Sequence, residues 1–126
     1  MKTICTFSFA LLVSVFVAGQ QAELLKDINQ GSASSYIQYM TQIGGRVVFK
    51  AINFSNTNDE PWVTDGTPEG TFMLKEINPS TKYGCSMSNA AAFNNEVYFS
   101  ADDGTNGSEL WKTDGTSEGT VMVKDI

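Results

Sequence analysis

Apolar side chains alternate along residues 46–52 (RVVFKAI). Val47, Phe49 and Ala51 share one side of an extended chain, which predicts a strand with one buried face. Residues 96–101 (EVYFSA) place Val97, Phe99 and Ala101 in the same way. Ahead of each lies a moderately apolar run, SYIQYMTQI at 35–43 and SNAAAF at 88–93. The junctions, Gly44-Gly45 and Asn94-Asn95, accept the positive φ that a two-residue type I′ hairpin turn requires. A polar loop follows each alternating strand, and then a short strand through Trp62 or Trp111. Next come WVTDGTPEGT and WKTDGTSEGT. There Asp65-Gly66 and Asp114-Gly115 form a turn pair whose carboxylates and flanking threonine hydroxyls can cap backbone N–H groups. Gly70 and Gly119 let the chain re-enter a last strand, TFMLKEI or TVMVKDI. The pattern predicts four antiparallel strands, twice over.

The two halves correspond residue by residue. Trp62 recurs as Trp111, Asp65 as Asp114, Glu69 as Glu118 and Gly70 as Gly119, each 49 positions on. Lys75-Glu76-Ile77 recurs as Lys124-Asp125-Ile126, and 49 positions earlier stands Lys26-Asp27-Ile28. Phe49 and Phe99 are 50 apart, so one residue is gained in a loop and lost again before Trp111, which loops tolerate. A unit of this length and strand count is that of a β-propeller blade. The fold class expected is all-β, two four-stranded antiparallel propeller-type blades at 29–77 and 78–126, with Trp62 and Trp111 packing between blades. Residues 20–28 align with a fourth strand but have no first three before them, an orphan strand. Two blades do not close a ring of four to eight, and each buries its faces only against neighbours. The expectation is the N-terminal piece of a longer protein with further blades. The alternative is a small chain that builds a ring from several copies.

Residues 1–19 read differently. A lysine near the start is followed by an apolar run and then small residues, with Val17 and Gly19 at −3 and −1 of a cut before Gln20, a secretory signal peptide. The run is short for a spanning helix, so a secreted or cell-surface location is expected. The chain carries 8 basic and 14 acidic residues, net −6, and the cut would remove Lys2; such a surface repels nucleic acid and anionic lipid. Cys5 lies in the leader, which leaves Cys85 as a buried small side chain at a strand start rather than half of a disulfide framework. Histidine is absent, so imidazole-based triads, dyads and zinc sites are excluded.

The stretch ELWKTDGTSEGTVMVKDI at 109–126 resembles the ELWxxDGT repeat of large exported proteins, many from Bacteroidota, and the likeness covers nearly all of the chain after the leader. The first copy, EPWVTDGTPEGTFMLKEI, has Pro61 where that pattern has leucine, which suits an edge strand or a strand start. The resemblance implies an extracellular propeller or propeller-like array, often held at the cell surface by a sorting domain. It implies no reaction, because the repeat marks architecture.

Residues matched at the period are read as structural, and this covers Asp65, Gly66, Asp114, Gly115, Trp62 and Trp111. Asp102 and Asp103 stand where the first unit has Ile52 and Asn53. Their loop, DDGTNGSE, gathers Asp102, Asp103, Asn106 and Glu109 around Gly104 and Gly107. Oxygen ligands on a glycine-rich loop suit Ca²⁺, though the spacing is not that of an EF-hand and a solvated acidic turn has the same composition. Tyr36, Tyr39, Asn89 and Tyr98 could present aromatic and amide groups to a sugar, or belong to the core. The function expected is non-enzymatic binding or adhesion to a glycan or protein. The alternatives are a propeller from a larger exported glycan-degrading enzyme and a passive spacer.

Overall fold

The computed structural model describes residues 22–53, 58–79 and 84–125; the signal peptide expected at 1–19 and the first two residues of the orphan strand expected at 20–28 lie outside them. The described residues contain eight strands and no helix: β1 (Gln38–Ile43), β2 (Arg46–Ile52), β3 (Asp59–Thr64), β4 (Phe72–Met73), β5 (Ser88–Phe93), β6 (Glu96–Asp102), β7 (Ser108–Thr113) and β8 (Val121–Lys124). They form two four-stranded antiparallel sheets, β1-β2-β3-β4 and β5-β6-β7-β8, each in chain order. No helix among these residues is long and apolar enough to cross a membrane.

Cross-strand register decides which face each side chain takes, because directly opposed residues point the same way. In the first sheet Phe49 lies opposite Trp62 and Trp62 opposite Met73, while Val48 lies opposite Val63 on the other face. In the second sheet Phe99, Trp111 and Met122 repeat the first arrangement. The Val48 face of the first sheet packs on the Phe99 face of the second. Ile43, Val48 and Val63 meet Val97, Phe99, Ala101 and Trp111 in one buried cluster, closed by Leu74, Ile77, Cys85 and Met87 from the joining segment. Each such aliphatic side chain contributes about 1.5–3 kcal/mol by leaving water. Phe49, Ala51 and Trp62 form a separate cluster on the opposite face, with Ile28 and Met73 beside it. Trp111 is thus the tryptophan between the two sheets, and Trp62 lies on the far face of the first.

The strands differ from the sequence pattern in four places, each with a local cause. β1 begins at Gln38 rather than Ser35, because Tyr36 (φ 45°) and Tyr39 (φ 54°) are left-handed and the register shifts between Gln38 and Thr41. Ser86 and Asn89 repeat that bulge at β5. Asn94 and Asn95 both have positive φ, but in the first sheet only Gly44 does, so Gly44-Gly45 turns in the II′ manner instead of I′. β4 pairs over two residues only: Leu74 N–H still reaches the Pro61 carbonyl at 2.8 Å. The Glu60 carboxylate then takes the Ile77 and Asn78 N–H groups (2.8 and 3.2 Å) and leads the chain toward the second sheet. Finally, residues 22–28 are not a strand, for no described strand runs beside them to complete a ladder. They are tied down by Lys26, whose Nζ donates to the carbonyls of Pro68 (3.0 Å) and Thr71 (2.7 Å).

Candidate functional site

The turns after β3 and β7 are built alike and are saturated by their own atoms. Asp65 Oδ1 accepts the Thr67 N–H (2.9 Å) and hydroxyl (2.7 Å), and Asp114 Oδ1 does the same for Thr116. These bonds to the ionised form hold both carboxyls below the usual range. Gly66 and Gly115 take φ of 91° and 87°, which a side chain would resist. Gly70 and Gly119 serve another purpose than a change of φ: a Cβ at either would run into the carboxylate of Asp65 or Asp114. Thr64 and Thr71 share a hydroxyl–hydroxyl bond of 2.7 Å, as do Thr113 and Thr120. The threonine hydroxyls and the aspartate Oδ1 of the matched decapeptide are therefore engaged within the turn itself.

The groove that does face solvent is made of unmatched residues. Tyr36, Gln38, Lys50, Ile52 and Asp59 line an open groove of about 300 Å³ at the β1–β2–β3 end of the first sheet. Lys50 Nζ lies 3.1 Å from Asp59 Oδ2 and 5.3 Å from the centre of the Tyr39 ring, so one cation is shared between a carboxylate and an aromatic face. Tyr36 and Tyr39 are 65 and 43% exposed. Both hold left-handed backbone, where a bulky residue costs roughly 1–2 kcal/mol and asparagine or glycine much less. At the corresponding places the second sheet has Ser86, Ser88, Asn89, Ser100 and Ser108. The bulge belongs to both sheets; the rings and the ion pair belong to one.

Exposed rings, an ammonium, a carboxylate and an amide in one groove can stack on an apolar ring face and exchange hydrogen bonds with hydroxyls. Of the four sugar-contact candidates from the sequence, the structure brings Tyr36 into the lining of this groove and sets the Tyr39 ring next to its Lys50, and it leaves Asn89 and Tyr98 on the second sheet. Tyr98 donates its hydroxyl to Glu96 at 2.8 Å, beside the Lys112–Glu96 ion pair at 2.9 Å. Gln38, Lys50 and Asp59 were missed in the sequence, although their mismatch at the period was legible there.

The acidic loop is self-contained. Asp103 Oδ1 accepts the N–H groups of Thr105 and Asn106 (both 2.8 Å) and Oδ2 the Asn106 amide (2.8 Å), while Asp102 accepts the Gly104 N–H at 2.7 Å. Those backbone bonds hold the Asp103 carboxyl below the usual range. Glu109 is buried, 7% exposed, whereas Asn106 is exposed. Among the described residues, no three His, Cys, Asp or Glu side chains gather as metal ligands.

A second acid, Glu60, is 2% exposed, and burial pushes its carboxyl up to about 7 against the opposing backbone bonds from Ile77 and Asn78. Cys85 is fully buried next to it, and burial followed by the neighbouring Glu60 charge pushes its thiol up. Cys85 lies three residues ahead of β5. Its N–H donates to the Asp59 carbonyl (2.9 Å) and its carbonyl accepts the Asp102 N–H (2.8 Å), so it fastens the two sheets. Compared with family models, with curated proteins and with solved structures, the chain matches none of them.

Proposed function

We propose that the chain is a secreted or cell-surface binding module of β-propeller type, and that its ligand, a glycan, is taken in the Tyr36–Tyr39–Lys50–Asp59 groove. The observation that supports this reading is the asymmetry between the sheets. A residue needed by the architecture would be expected in both, whereas the two tyrosines occupy strained backbone in one sheet and are serine and asparagine in the other. A strained aromatic kept at the surface is favoured by contact with something outside the chain.

The groove suits binding better than cleavage. Asp59 is the one carboxylate among its lining residues, and hydrolysis of a glycosidic bond ordinarily uses two acids flanking that bond. The acid next in sequence, Glu60, is sealed in the core and engaged with backbone. The test is a glycan array followed by calorimetry on the purified chain, with Tyr36→Ala, Tyr39→Ala and Asp59→Asn. Loss of at least about tenfold in affinity for each variant would support the groove, since groups at the centre of a site are worth about 1.4 kcal/mol or more. Undiminished binding by all three, or no binding anywhere on the array, would sink it.

A further inference from the structure

The chain that leads from the first sheet to the second is held by four of its backbone N–H groups, which converge on one strand. Leu74 N–H donates to the Pro61 carbonyl (2.8 Å) and Cys85 N–H to the Asp59 carbonyl (2.9 Å). Ile77 and Asn78 N–H donate to the Glu60 carboxylate (2.8 and 3.2 Å). The acceptors are three consecutive residues of β3. The matching donors one unit earlier are Leu25, Ile28, Asn29 and Ser35. Among the described residues, none of those four N–H groups has an acceptor.

The segment is otherwise placed as its counterpart is. Lys26 Nζ reaches the Thr71 carbonyl at 2.7 Å, and Lys75 Nζ reaches the Thr120 carbonyl at 2.9 Å. Ile52 N–H donates to the Ser35 carbonyl at 2.8 Å, and Asp102 N–H to the Cys85 carbonyl at 2.8 Å. Residues 22–35 thus sit on the first sheet as 71–79 and 84–85 sit on the second, and among the described residues no strand takes the place that β3 has in the second case.

Side chains tell the same story. Leu24, Leu25, Ile28, Ile37, Met40 and Phe49 line an apolar groove of about 270 Å³. Their counterparts Leu74, Ile77, Met87 and Phe99 are buried against Ile43, Val48 and Val63. Leu25 is 39% exposed where Leu74 is 2%. The groove is lined by the counterparts of residues that form the join between the sheets, with no facing sheet among the described residues.

We propose that residues 22–35 and the Phe49 face of the first sheet form a docking site for a three-stranded antiparallel sheet of this chain's own design, to which residues 22–28 add the fourth strand. The occupant presents aliphatic side chains in the places of Ile43, Val48 and Val63. Its third strand reads x-Glu-x-Trp, so that two carbonyls and the Glu carboxylate receive the N–H groups of Leu25, Ile28, Asn29 and Ser35. It is one strand short because residues 22–28 already fill that place. The second sheet of another copy fits less well. It offers Phe93, Tyr98 and Lys112 where the first sheet offers Ile43, Val48 and Val63, and its own β8 would compete with 22–28. This site does not depend on the glycan reading.

The test is photo-crosslinking of the full chain in the cells that make it, with p-benzoylphenylalanine replacing Ile37 and the joined peptides sequenced by mass spectrometry. The expected product joins the groove to a strand reading x-Glu-x-Trp from outside residues 22–125. Adding Leu25→Lys should lower its yield at least about tenfold, because a charge then enters the centre of the contact. In the isolated 126-residue chain the same change should shift the melting temperature by no more than about 1 °C, since Leu25 is already half open to water. Products confined to the first sheet, a peptide lacking that pattern, residues 108–113 of a second copy, or a yield indifferent to Leu25→Lys would each overturn the proposal.

Discussion

Glu60 Oε2 accepts the Ile77 N–H at 2.8 Å inside the core, so a carboxylate on the third strand of one sheet holds the chain that leads into the next. Burial raises its carboxyl from the ordinary 4.5 to about 7. Between those values the unfolded chain has released the proton while the folded chain keeps it. The Glu60 contribution to stability is therefore fully present below about pH 4.5 and is lost as the pH rises through 7, by roughly 3 kcal/mol. It is opposite in sign to that of the lowered carboxyls of Asp65, Asp103 and Asp114, whose contribution is lost as the pH falls. Urea midpoints measured from pH 4 to 8 should show this slope. Glu60→Gln, which keeps one acceptor and cannot ionise, should flatten it, and an unchanged slope in that variant would assign it to other groups.

Trp62 and Trp111 bury their indole N–H groups with no acceptor among the described residues. Their contribution is then area and shape, not a hydrogen bond. Trp111→Phe should cost no more than about 1–2 kcal/mol, while Trp111→Ala should cost about 3–5 kcal/mol, because it empties the join between the sheets. Equilibrium unfolding separates the two, and a Phe variant as damaging as Ala would mean that the N–H has a partner.

Gly119 owes its identity to the Asp114 carboxylate, which occupies the space of a Cβ. Gly119→Ala should destabilise by about 1–3 kcal/mol. In an Asp114→Ala background the same change should cost much less, because the obstructing oxygens are gone. The interaction energy of the double-mutant cycle is the measurement, and additive losses would refute the steric account.

Lys75 crosses from the first sheet to the Thr120 carbonyl at 2.9 Å, a part-buried bond with a charged donor. Lys75→Met keeps the stem and removes the donor, and should cost about 1.5–3 kcal/mol in thermal unfolding. Lys26→Met should cost less than Lys75→Met, because the segment Lys26 holds is exposed from residue 22 to 27 and little core depends on it. An equal loss for both would show that residues 22–28 are as integral to the fold as the strand end at Lys75.

Strand number, strand order within each half and the location of the turns were legible in the sequence, because they follow from local causes. Alternation in residues 46–52 and 96–101 requires an extended chain with one buried side, and Asp-Gly and Asn-Asn pairs mark where the backbone reverses. The matched spacing from Trp62 to Trp111 separated residues that serve both sheets from those that serve one. Face pairing was not legible. Val48 and Phe49 are both apolar neighbours, and only the packing of one sheet on the other decides that Val48 joins the common core while Phe49 looks toward residues 22–28. The roles of Glu60 and Gly119 were hidden for a similar reason. The recurrence of Glu60 as Glu109 marks it as structural but does not say which N–H groups, 17 and 18 positions on, it holds, and the clash that excludes a Cβ depends on how Thr116 draws Asp114 into the turn. The groove of Tyr36, Tyr39, Lys50 and Asp59 was half visible. Composition named the tyrosines, but the bulge and the antiparallel register that bring a lysine and an aspartate beside them exist only once three strands are assembled.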